Sequence, residues 1–85
     1  MKFIGIFENY PIYLSTRKNK KYMARVNDRW IHFGDKRYEH YNDKMAYYKN
    51  LDHLDKRRRL LYHLRHKHDY PMGSADWFSK MVLWS

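Results

Sequence analysis

The sequence predicts an α+β fold in one small domain, residues 1–85: a small antiparallel hairpin or three-stranded sheet, then a long basic helix, then a short aromatic C-terminal helix. Three observations lead there. Residues 12–34 are rich in β-branched and aromatic side chains punctuated by turn residues, which is the composition of short strands. From about Asp43 the β-branched residues give out, and Met45, Tyr48, Leu51 and Leu54 recur at a helical period. Tyr70-Pro71-Met72-Gly73 then interrupts that period before an almost wholly apolar end.

The predicted strands are Ile12-Tyr13-Leu14, Lys21–Val26 and Arg29–Phe33. Arg17-Lys18-Asn19-Lys20 closes the first hairpin, and Asn27-Asp28 supplies a two-residue turn into the third strand. Alternation places Tyr22, Ala24 and Val26 on one face of their strand, and Ile31 and Phe33 on one face of the next. Gly34-Asp35 ends the sheet. The helical region covers residues 43–68, and its stretch Asp55–His68 holds six Lys/Arg and three His. Leu54, Leu61 and Leu64 share one helix face that Leu60 widens, while Lys56, Arg57, Arg59, His63 and Lys67 fall mostly outside it. Asp52 and Asp55 precede the basic run and complement the helix dipole. Ser74 caps the last helix, residues 74–84, with Trp77, Phe78, Met81, Val82 and Trp84.

Charge narrows the function. Eighteen Lys and Arg stand against nine Asp and Glu, a formal +9, and the isoelectric point is about 9.9. Such an imbalance costs folding stability through self-repulsion and points to a polyanionic partner. Aromatic residues make up 19% of the chain, enough large side chains for a small core. The absence of Cys excludes disulfides and thiolate metal sites and fits a reducing compartment. No apolar run reaches the roughly 20 residues of a membrane span. The apolar start Met1–Phe7 is cut by Glu8, Asn9 and Pro11, too short for a signal peptide. The expectation is a soluble intracellular protein.

Cations interleaved with rings suit nucleic acid, because Arg and Lys meet phosphates and aromatic rings stack on bases. The alternative is a solvated helix face with no specific partner. The candidate nucleic-acid residues are Arg57, Arg58, Arg59, Arg65 and Lys67, with Tyr62 stacking or packing. Lys18, Lys20 and Lys21 assist from the hairpin, within a second basic group that includes Arg17 and Arg25. A metal site at His63, His66, His68 and Asp69 is disfavoured by the neighbouring Arg65 and Lys67. Ser15, Ser74, Ser79 and Ser85 sit in no nucleophile motif. An enzyme is not expected, nor any metal, cofactor or small-molecule substrate. The terminal segment reads first as core; the rival is an anchor in which Trp77, Phe78, Met81 and Trp84 enter a neighbouring protein.

Several motifs carry a resemblance over roughly residues 20–84. They are Lys20-Lys21-Tyr22, Ile31-His32-Phe33-Gly34-Asp35-Lys36-Arg37-Tyr38-Glu39-His40-Tyr41, Arg58-Arg59 with Tyr62, Arg65-His66, and Ala75 with Trp77-Phe78-Ser79 before Leu83-Trp84. In this order they resemble an uncharacterised family of small basic proteins encoded by large nucleocytoplasmic DNA viruses and related aquatic viruses. The resemblance implies a viral source and a place in the virion or the infected cell's interior, with no activity to transfer. The expected function is non-enzymatic binding to the backbone of nucleic acid, DNA ahead of RNA, with little sequence preference. The alternative is a minor capsid or cement protein that bridges capsid proteins through its terminal aromatic segment.

Overall fold

A computed structural model describes all residues, 1–85. Four strands form one antiparallel meander in the order β1-β2-β3-β4: β1 Phe3–Phe7, β2 Tyr10–Leu14, β3 Lys20–Val26 and β4 Arg29–Asp35. The sheet therefore has one strand more than the sequence suggested. The extra strand is β1, joined to β2 by Glu8-Asn9, both at positive φ, as the tight hairpin turn whose twist suits paired strands requires. Pro11 does not stop β2. It pairs with Ile6 of β1 and precedes Ile12, where pairing with β3 begins, so its missing N–H removes no bond to β3. Asn27-Asp28 forms the expected turn, with Asn27 at positive φ and Val26 opposite Arg29.

The expected long helix over 43–68 is replaced by irregular chain with a 3-10 turn at Lys49–Leu51, followed by α1, Lys56–Arg65, only ten residues long. Ala46 and Leu54 sit at positive φ, which no helix accommodates. Asp43 is the physical reason for the first break: its carboxylate accepts the amides of Met45 and Tyr48 at 2.8 Å each, local bonds that compete with a helical ladder. Asp55 begins α1 by accepting from the amides of Arg57 and Arg58. Asp52, expected beside it on the same helix, lies outside α1. At the C-terminus α2, Ala75–Phe78, is capped by Ser74 as expected and runs on as a π-helical segment, Ser79–Leu83.

The core lies between one face of the sheet and this terminal segment. Ile12, Tyr22, Ala24 and Phe33 from the strands meet Phe78, Val82 and Leu83, all buried. The open end of the terminal segment is closed by residues 42–44, whose amides at Asn42 and Lys44 donate to the carbonyls of Leu83 and Val82. α1 contributes no buried residue and packs at the periphery.

Candidate functional site

A buried polar network fixes the chain that carries α1. Lys21, a hairpin cation in the sequence, is 2% exposed. Its ammonium donates to the carbonyl of Tyr38 at 3.0 Å and to Nδ1 of His40 at 2.8 Å. Because Nδ1 accepts, the other ring nitrogen carries the proton, and Nε2 donates to Asp52 Oδ1 at 2.5 Å. The same oxygen accepts the amide of Asp43 at 2.8 Å, and Asp43 accepts from the hydroxyl of Tyr22. Gly34 makes room for this arrangement: a Cβ there would lie 3.0 Å from Lys21 Cδ and from Leu83 Cδ1. Lys21 is therefore a structural cation and drops out of the phosphate-facing set.

Burial lowers the pKa of His40, and the adjacent Lys21 adds to the effect. The unfolded ring has the ordinary histidine value near 6.5. Below that pH the unfolded chain takes up a proton the folded ring resists, so stability falls as the medium is acidified. His32 and His53, also lowered by burial, act in the same direction. Lys21 is lowered by burial to about 8. Between about 8 and its ordinary value near 10.4 the unfolded chain again binds the extra proton, so stability rises with pH across that window. Tyr22, raised by burial and by Asp43, opposes this above about pH 10, where only the unfolded phenol ionises. The free energy of urea unfolding is expected to fall as the pH drops below about 6.5, with a limiting slope of about 1.4 kcal/mol per pH unit for the His40 proton and less for the more solvated His32 and His53. A flat acid limb would exclude a neutral His40.

The other predicted residues separate into free and engaged groups. Lys18, Arg57, Arg58, Arg65 and Lys67 are exposed. Arg58 pairs with Glu39 at 3.0 Å. Arg59 is half-buried, with its guanidinium 4.4 Å from the ring centre of Tyr41. Tyr62 packs: its ring lies parallel to Trp84 at 4.4 Å and stacks on His66 at 4.3 Å, so both faces are covered. No base can stack there. His63 donates from Nε2 to the carbonyl of Trp84 at 2.7 Å, and His66 hydrogen bonds with the Tyr70 hydroxyl. Phe78 is buried and Trp77, Met81 and Trp84 are half-buried in their own fold, so the terminal segment is occupied within the domain.

The two basic groups meet only in part. Lys20 and Tyr62 line one cleft of about 280 Å³, but Asp35, Glu39 and Asp76 line it too, which disfavours a phosphate. A larger groove of about 610 Å³ runs along the outer edge of β4, and sequence reasoning missed it. Arg17, Arg29, Trp30 and His32 line it, and no carboxylate does. Tyr13 meets Trp30 edge-on at 5.2 Å, and the Arg25 guanidinium lies 4.9 Å from the indole. Ser15 Oγ holds His32 Nδ1 at 2.7 Å. Arg17 and Lys20 help to lower the pKa of His32, a mark of the positive field there. The only sequence signal for this groove was Arg17 and Arg25 together with the aromatic composition of β4.

No curated protein and no solved structure matches the chain. Residues 10–66 match a family described as a family of unknown function, DUF5754. That span runs from β2 through α1 and contains every member of the Lys21-His40-Asp43-Asp52 network, while β1 and the terminal segment lie outside it. With the match covering most of its length, from the sheet to the basic helix, the chain belongs to the DUF5754 family.

Proposed function

We propose that the protein binds nucleic acid, DNA ahead of RNA, through the phosphate backbone and with little sequence preference. One observation carries this reading. Of the eighteen Lys and Arg, only Arg37 and Arg58 pair with an Asp or Glu side chain, Lys21 is buried and Lys44 donates to the Ser85 oxygen, while Asp43, Asp52 and Asp55 are consumed by internal hydrogen bonds. The excess charge is thus displayed. A polyanion relieves the self-repulsion and gains from released counterions. Arg57 and Arg65 present it on α1, Lys67 just past the end of that helix, Lys18 on the β2–β3 loop, and Arg17 and Arg29 in the β4 groove. A bridging role for the terminal segment is the second reading and has less in its favour, since Phe78 lies in the core and Trp77 and Trp84 pack against it.

Binding to duplex DNA is expected to weaken steeply with salt, with a slope of about 0.9 per neutralised phosphate and roughly four to six contacts. Arg57→Ala/Arg65→Ala removes two exposed cations without touching the core, so the slope should fall by about 1.8. Titrations by fluorescence anisotropy across salt concentrations measure this. A slope unchanged in the double variant removes α1 from the interface, and no affinity at low salt removes the function.

A further inference from the structure

Three leucines of α1 point away from the domain. Leu60, Leu61 and Leu64 are 57%, 41% and 53% exposed. At about 100° per residue they occupy one arc of the helix, with Leu64 between the other two. The contacts that hold α1 come from the opposite side, through Arg59, Tyr62, His63 and His66. Backbone binding to nucleic acid leaves these leucines unexplained, because phosphates gain nothing from aliphatic side chains. An isolated helix this short gains no stability from an apolar face turned to water.

Cations border the leucines on both sides: Lys56 on one flank, Arg65 and the Glu39-paired Arg58 on the other, with Arg57 between them at the first turn. A second copy of the chain would bring these like charges face to face. A flat layer of anionic headgroups meets the charges on both flanks at once, and it accepts a convex ridge without a preformed groove. The long cationic side chains reach up to headgroup level while the leucines enter the acyl boundary. No helix of the structure is long and apolar enough to cross a membrane, so attachment would be in the plane of the surface.

We infer that α1 is an interfacial helix that lays Leu60, Leu61 and Leu64 into the surface of an anionic bilayer. This goes beyond the nucleic-acid reading: the two share cations, but only the bilayer uses the leucines.

The test is co-sedimentation of the full chain with phosphatidylcholine vesicles, with and without phosphatidylserine, alongside duplex DNA binding on the same samples. The native chain should associate only when phosphatidylserine is present. Leu61→Gln/Leu64→Gln should weaken that association about tenfold. The same variant should leave DNA affinity and thermal unfolding unchanged, since both leucines are exposed. Leu61→Trp supplies a second readout, with an emission that shifts to the blue when the indole enters the acyl boundary. The inference is overturned if serine-containing vesicles bind nothing, if the double variant binds them equally, or if Leu61→Trp emission does not shift. It is also overturned if the native chain sediments as a dimer that the double variant dissolves. Loss of DNA binding with vesicle association intact would instead remove only the nucleic-acid function.

Discussion

Asp43→Ala should cost about 3–5 kcal/mol, because it strands three donors at once, the buried Tyr22 hydroxyl and two part-buried amides. The Asp43 carboxylate accepts the hydroxyl of Tyr22 and the amides of Met45 and Tyr48. Asp43 is 2% exposed and Tyr22 is fully buried, so water cannot replace the lost acceptor without opening the core. A small domain has only about 5–15 kcal/mol of stability in total, and the loss is a large share of it. The two amides meet different oxygens of Asp43, so Asp43→Asn keeps an acceptor for only one of them and sets its NH2 against the other, and it should cost about 1–3 kcal/mol. Urea unfolding of the two variants and of Tyr22→Phe separates these contributions. If Asp43→Ala and Asp43→Asn unfold at the same midpoint as the native chain, the network is not a structural anchor. The loss should also reach the surface, because the segment pinned by Asp43 and Asp52 leads directly into α1.

The sheet was legible where local rules suffice. Alternation along β3 and β4 placed Tyr22, Ala24 and Phe33 inward, and Asn27-Asp28 marked its turn. β1 escaped because Glu8 is an unusual residue for positive φ and Pro11 reads as a strand breaker. Nothing local shows that Pro11 stands just before the pairing with β3. The period Met45, Tyr48, Leu51 and Leu54 imitated a helix, yet Met45 and Tyr48 pack against the core from irregular chain that Asp43 organises. Among the cations, Arg57, Arg65 and Lys67 are free as the charge pattern suggested. Lys21 is not, because its burial depends on Gly34, Tyr38 and His40, partners far along the chain. The same long-range assembly hid the β4 groove. Its lining comes from the β2–β3 loop, β4 and the turn before α2, three segments that no window of sequence joins.

Phe33→Ala should cost about 3–5 kcal/mol, the usual loss for a phenylalanine removed from a packed core. Phe33 is 1% exposed and lies nearly parallel to Phe78 with ring centres 5.1 Å apart, while Tyr22 tilts against it at 5.7 Å. It is the point where the sheet grips the terminal helix. Deleting it removes contacts on both sides and leaves a cavity that β4, held by its hydrogen bonds to β3, cannot collapse to fill. Phe78→Ala should cost a similar amount, and the double variant should cost less than the two together, because each single change already loses the shared stack. Trp30→Ala provides the contrast from three positions earlier on the same strand, where alternation puts the side chain on the opposite face. That ring faces the groove, half-buried against Tyr13 and Arg25, so its truncation should cost about 1–2 kcal/mol and weaken DNA binding more than it weakens the fold. Chemical unfolding of the four variants ranks these effects. A native midpoint for Phe33→Ala, or strict additivity with Phe78→Ala, would mean that the terminal helix is held elsewhere. It would then be able to leave the sheet without unfolding it, and the aromatic segment would again be free to seek a partner outside the domain.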